Sequence, residues 1–274
     1  MLASSLVVLG VIYLIGVVRL WRAGGYGHGI RPFEAVAFGC GWLALLAALL
    51  PPLDVWSDKW LAAHMVQQEL LMVIAAPLLV MSSPMMAFLS ALPSKTRRRA
   101  VTTIRRRMAI GWTALTSPLS VFLLYGLTLW MWFLLYGLML WVWQLPALSD
   151  HVVWQQDVKL LQHLSFFGTA ALFWWGIAHQ RYGRLGHAAA AVFVLATTVH
   201  SGLLGALLTF STRVWYAPYE GNHLAGLRLL EDQQLTGLLV WIPLSVILVV
   251  GGLSLLAAWL SESERLYAVN RRYR

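Results

Sequence analysis

The chain has 274 residues, 59% of them hydrophobic and 11% charged, with a formal charge of +9. That balance excludes a disordered polypeptide and an ordinary soluble domain. Nor does the charge imply a nucleic-acid partner, because Lys and Arg in the loops of a membrane protein set its orientation.

Repeated apolar runs of spanning length point to an all-α integral membrane protein. Only helices and closed barrels satisfy their backbones in lipid, and these runs are continuous rather than alternating. The first run is residues 2–18. No cation precedes it, whereas Arg19 and Arg22 follow it. A secretory signal has the opposite polarity, so a retained helix with its N-terminus outside is expected. The second span covers residues 33–50 and stops at Pro51 and Pro52. Residues 60–80 form the third. Residues 84–108 are too basic to span and are predicted to lie as an interfacial segment on the inner membrane surface. A fourth span falls within residues 118–140, opened by Ser117 and Pro118. The fifth, sixth and seventh fall within residues 160–177, 188–209 and 235–256.

This seven-transmembrane-helix bundle is one polytopic domain with a cytoplasmic C-terminus. Sixteen of the 20 Lys and Arg then fall inside, leaving Lys59, Lys159, Arg213 and Arg228 outside. Trp56, Trp60, Trp141, Trp143, Trp154 and Trp215 gather near the outer ends as an interfacial belt. Gly202 and Gly205, with Ser201 and Ala206, give the sixth helix a small-residue face for close packing. Tyr216 and Tyr219 follow it in what reads as a surface loop turned at Pro218. One cysteine, Cys40, rules out a disulfide within the chain.

The third span is the unusual one. It carries His64, Gln67, Gln68 and Glu69 in its first half and almost nothing polar in its second. His64 and Gln68 share one helical face, and Met65, Glu69 and Met72 a neighbouring one. Ionisable residues inside a membrane are costly and mark functional sites. His163 and Gln162 lie at a matching depth in the fifth helix, while Asp232, Gln233 and Gln234 open the seventh. Asp232 also suits the positive end of that helix. Glu69 and His200 both lie roughly 13–15 Å below the outer surface at 1.5 Å per residue, so His200 is the first candidate partner for the acid.

Imidazole nitrogen and thioether sulfur suit copper, and sulfur favours Cu(I). His64, His163, His200 and Met65 are the available donors, with Gln68, Glu69, Asp232 and Gln233 as a polar cluster around them. No paired metal motif within one helix accompanies them. There is no P-loop, no glycine-rich dinucleotide turn and no HExxH, so enzyme chemistry has no direct support.

Several segments together resemble the CtaG-type assembly factors of cytochrome c oxidase. They are HMVQQELLMVIAAPLL, WVWQLPAL, LLQHLSFFGTAALFWW, VHSGLLGALLTFS with YAPY after it, and DQQLTGLLVWIP. The likeness covers most of the chain from about residue 60 to 259. It implies a helical protein of a bacterial plasma membrane that helps mature a haem–copper oxidase, with oxidase subunits as partners and a copper step on the outer side. His64, His163, His200, Asp232 and Gln233 match the family pattern. Gln68, Gln144, Lys159 and Gln162 stand where that pattern tends to offer His or Glu, and an ammonium at Lys159 repels a cation. Weaker or more transient copper binding than in family members with every histidine is the expectation, with His64 and His163 as the outer pair. Two rivals are a transporter, which should show polar residues at both faces, and a haem-binding redox protein, which needs two histidines on facing helices at one depth.

Overall fold

The third apolar run becomes the central post of the bundle. In the computed structural model, which describes residues 2–93, 102, 131, 133–145, 148, 155–178, 183–216, 219 and 226–272, helices account for all regular structure. They are α1 (Leu2–Gly24), α2 (Pro32–Leu49), α3 (Leu53–Ser57), α4 (Leu61–Met81), α5 (Pro84–Ala91), α6 (Phe133–Trp143), α7 (Gln156–Ala178), α8 (Gly183–Thr209) and α9 (Leu229–Arg272).

Three hydrophobic clusters meet on α4. Leu71, Ala75 and Leu79 face Tyr13, Val17, Phe38 and Leu45 of α1 and α2. Met72, Val73 and Ala76 face Tyr136, Phe166, Phe173, Leu204 and Leu244 of α6 to α9. Leu61 and Met65 join Leu208, Tyr216, Tyr219 and Val240 at the end where α4 begins. Packing against three clusters is what lets this helix hold costly polar groups, although Ile74 stays exposed.

α4 is not a uniform helix. It is α-helical over Leu61–Glu69, π-helical over Leu70–Ala75 and α-helical again over Ala76–Met81. Pro77 supplies the cause, since its ring clashes with the carbonyl four residues earlier and it donates no N–H. Widening the preceding turn relieves that clash, and the Ala76 N–H reaches Leu71 O instead. A tryptophan on α7 completes the accommodation, with Trp174 Nε1 donating to Met72 O at 3.0 Å.

Five helices are long and apolar enough to cross a membrane: Ser4–Gly24, Pro32–Leu49, Leu61–Met81, Ala191–Thr209 and Leu229–Ser261. They correspond to the first, second, third, sixth and seventh expected spans. The stretch expected as the fifth span forms the 23-residue α7, which carries Asp157, Lys159, Gln162 and His163 and is not among those five. Of the fourth, α6 contains the described part, and residues 118–130 lie outside the described residues. Val7, Val8 and Leu14 on α1 and Val246, Val250 and Leu253 on α9 are exposed, as side chains bathed in acyl chains should be.

The first eight residues of the segment expected on the inner surface are helical. Pro84–Ala91 folds as α5 and packs against α1, burying Ala87 and Ser90. Ser83 makes the turn in the left-handed conformation, with φ of 50°. Ser90 Oγ donates to Gly16 O at 3.0 Å, and a Cβ at Gly16 would run into the Ala87 carbonyl. Residues 94–108 lie outside the described residues, apart from Thr102. The small-residue face of α8 packs as expected. A Cβ on Gly205 would sit 2.9 Å from Gly237 O of α9, and one on Gly202 would sit 3.2 Å from Trp241 Nε1.

Candidate functional site

Buried polar side chains collect where α4, α7 and α9 begin and α2, α6 and α8 end. The first piece is a joint. Asp232, in the first turn of α9, accepts the Leu61 N–H at 3.1 Å and is 1% exposed. It therefore caps α4, a different helix, besides sitting at the positive end of its own. Gln233 holds the chain leaving α8. Its Oε1 accepts Trp215 N–H at 2.7 Å and its Nε2 donates to Arg213 O at 2.9 Å. Gln234 Nε2 donates to Ser211 O at 3.1 Å. The polar DQQ start of α9 is thus a clamp between α4 and the 211–215 loop.

Lys159 makes the second joint, between α7 and the short α3. Its ammonium lies 2.6 Å from Asp58 Oδ1, 2.9 Å from Asp54 Oδ1, 3.0 Å from Ser57 Oγ and 3.3 Å from Asp54 O. Gln67 Nε2 ties the same corner by donating to Ala48 O at 2.6 Å and Asp54 Oδ1 at 3.2 Å. A lysine that would repel a free cation is here itself the bound cation of an oxygen cage.

Between the joints runs an amide relay. His64 Nε2 lies 2.8 Å from Gln68 Nε2 one turn along α4, so the imidazole nitrogen there is the acceptor. Gln144 Nε2 donates to Gln68 Oε1 and to Met65 Sδ, each at 3.4 Å. Tyr216 OH donates toward Gln144 O at 2.9 Å and Oε1 at 3.0 Å. Tyr219 faces His64 with ring centroids 6.4 Å apart. Both tyrosines are 2% exposed, so the expected surface loop is corrected at these two residues: their rings form a lid over the site. Burial pushes the Tyr216 phenol above its ordinary range. Burial does the same to Tyr219, helped by the carboxylates of Asp58 and Asp232. Both therefore stay protonated hydrogen-bond donors at neutral pH.

The candidate donors divide. His64, His163 and Met65 belong to this end. All three are buried, and His64 and His163 lie within electrostatic range of each other and of Lys159. His163 Nε2 is buried with no hydrogen-bond partner among the described residues. His200 stands apart, against Phe133, Gly137 and Trp141 of α6. Among the described residues, no three His, Cys, Asp or Glu side chains converge as a metal site. Glu69 is also separate, within electrostatic range of Tyr136, and its Oε2 is buried without a partner. No ion pair joins it to His200, so the expected pairing at equal depth is not made. Equal depth places two residues in one layer, but each of these meets α6 rather than the other, Glu69 in electrostatic range of Tyr136 and His200 against Phe133, Gly137 and Trp141. Sequence reasoning missed Tyr216, Tyr219 and the Asp54–Asp58 cage. Two acids one helical turn apart, Asp54 and Asp58, and a lysine assigned to the same outer face were the available signal for the cage.

Fold and site together define a polytopic helical membrane protein with one buried polar end. The chain matches the family model for the cytochrome c oxidase caa3 assembly factor (Caa3_CtaG) over residues 11–262, and it belongs to that family. No curated protein and no solved structure matches it.

Proposed function

We propose that this protein assists maturation of a haem–copper cytochrome c oxidase from the outer side of a bacterial plasma membrane, without catalysing a reaction of its own. The observation that carries the reading is the family match across residues 11–262. The charge distribution supports the orientation, since it puts the polar end outside, where an oxidase subunit and a metal donor would approach. Among the described residues, the opposite half buries hydroxyls, of Ser, Thr and Tyr13, and no amide, imidazole or charged side chain. That favours an assembly role over a conduit, which needs polar groups at both faces.

Copper, as cargo, fits the donors of this end in part. Two imidazoles and a thioether are a Cu(I) donor set, and one nitrogen, His163 Nε2, has no hydrogen-bond partner among the described residues. His64 would have to exchange its Gln68 partner, and His200 does not contribute. The reading is therefore transient holding by His64 and His163 with Met65, under the tyrosine lid, beside a Lys159 whose charge Asp54 and Asp58 already hold. The test uses cells lacking this protein, complemented with wild type or with His64→Ala, His163→Ala. Wild type should restore oxidase activity. The double variant should restore less and, once purified, lose Cu(I) in competition with a chelator. Full activity with no Cu(I) binding in either form would remove the copper step and leave a scaffold. No dependence of the oxidase on the wild-type protein would sink the assembly role.

A further inference from the structure

A groove of about 450 Å³ runs along the outside of α8 where it meets the 211–215 loop. Leu203, Ala206, Leu207 and Phe210 line it at intervals of three and four, one face of the helix. Leu203 and Phe210 are 55% and 73% exposed. This stripe belongs mostly to the apolar span Ala191–Thr209, so what bathes it is hydrocarbon. At its upper edge the lining turns polar, with Thr212, Arg213 and Trp215.

The loop carrying Arg213 is held rigidly for its length. Ser211 Oγ donates to Arg213 O at 2.7 Å and accepts Arg213 N–H at 3.2 Å. Gln233 fixes Arg213 O and Trp215 N, and Gln234 fixes Ser211 O. Among the described residues, no ion pair engages the Arg213 guanidinium. A positioned, uncommitted cation thus stands directly above an exposed apolar stripe, beside a tryptophan suited to the interface. A guanidinium matches phosphate oxygens, and the stripe matches a chain.

We propose that this groove binds an anionic phospholipid, its phosphate at Arg213 and one acyl chain along Leu203–Leu207–Phe210. Charge complementarity and the hydrocarbon surroundings select a lipid over a soluble ligand. Gln233 and Gln234 are positioning residues for the site, acting through the loop backbone.

Native mass spectrometry of the full chain in neutral detergent tests this, with phosphatidylglycerol titrated against phosphatidylcholine of the same chains. One phosphatidylglycerol should be retained in preference. Arg213→Gln should weaken it roughly fivefold, the ~1 kcal/mol that one cation near an anionic headgroup supplies, and leave phosphatidylcholine unchanged. Lys59→Gln, an exposed cation at the same end, should change neither. Equal binding of both lipids overturns the proposal. So does an equal loss in the Lys59 and Arg213 variants, which would mean general charge attraction. A photo-crosslinker at position 207 in vesicles should yield a lipid adduct, and an adduct with a second copy of the chain would overturn the assignment.

Discussion

The polar end and the body of the bundle both bury polar groups, but the polar end adds to hydroxyls such as Ser57 and Thr236 a chemistry that the body lacks. At the polar end the added groups are amides, imidazoles, a carboxylate and an ammonium: Gln67, Gln68, Gln144, Gln233, His64, His163, Asp232 and Lys159. In the body they are hydroxyls: Ser82, Ser90, Thr169, Thr197 and Ser201. Each of those hydroxyls donates to a carbonyl three or four residues back on its own helix, as Thr197 does to Phe193 O and Thr169 to Ser165 O, and Ser90 alone among them also reaches another helix, at Gly16 O. The polar end instead bonds across long stretches of chain, Leu61 to Asp232 and Lys159 to Asp54 and Asp58. Polarity in the body mostly closes on its own helix, with single cross-helix bonds such as Ser90 to Gly16 O and Trp174 to Met72 O. At the polar end it is what assembles the helices.

The strongest way to break that contrast is to strip the Lys159 cage. Asp54→Asn with Asp58→Asn leaves an ammonium that is 4% exposed facing only neutral oxygens. Removing the partners of a buried charge costs about 3–5 kcal/mol. The carboxylates are 36% and 38% exposed, so solvent softens the loss toward about 3 kcal/mol. Chemical unfolding in detergent should show that drop. Lys159→Met should cost less, because the freed carboxylates can hydrate. A double variant as stable as wild type would mean that α3 and α7 are held by something else.

A smaller effect is expected at the cap of α4. Asp232→Ala removes the acceptor of the Leu61 N–H and should cost about 1–2 kcal/mol, whereas Asp232→Asn keeps an acceptor and should cost less. Hydrogen exchange at the first turn of α4 reads this directly. Faster exchange there in the Ala variant alone is the expected result. Unchanged exchange in both would show that the side chain is not the cap.

Much of this architecture is legible in the sequence, and the illegible part has a common cause. Hydropathy marks where α1, α2, α4, α8 and α9 lie, because length and apolar content are local properties, but α9 runs on to Arg272, well past the apolar run at 235–256. The crowding of polar residues on α4 already marks it as the organising helix. Gly202 and Gly205 announce close packing by size alone. What composition cannot show is partnership across the chain. Asp232 suits the start of its own helix, yet its oxygen also caps a helix 171 residues away. Lys159 looks hostile to the site until Asp54 and Asp58 close around it. Tyr216 and Tyr219 sit in a loop sequence that suggests solvent, and only Gln144 and His64 below them explain their burial. Glu69 and His200 share a depth, but depth along a helix says nothing about which neighbour each one meets.

The finest test compares two residues of equal burial, since Gln67 and Thr197 are each 0% exposed. Gln67 links α4 to the end of α2 and to Asp54 through Nε2, so Gln67→Leu strands the Ala48 carbonyl and loosens the corner that Lys159 occupies. Leaving such a group unsatisfied costs about 1–3 kcal/mol. Thr197 Oγ1 bonds Phe193 O, a carbonyl that the Thr197 N–H of the same helix can already satisfy. Thr197→Val removes a surplus bond and keeps the branched shape, so about 0.5 kcal/mol is expected, near the average for side-chain hydrogen bonds inside membranes. Melting both variants in one detergent separates burial from connectivity. If burial alone set the cost, the two losses would be equal. A loss at Thr197 as large as at Gln67 would mean that its hydroxyl reaches across helices, and the division between a local body and a joining end would fail.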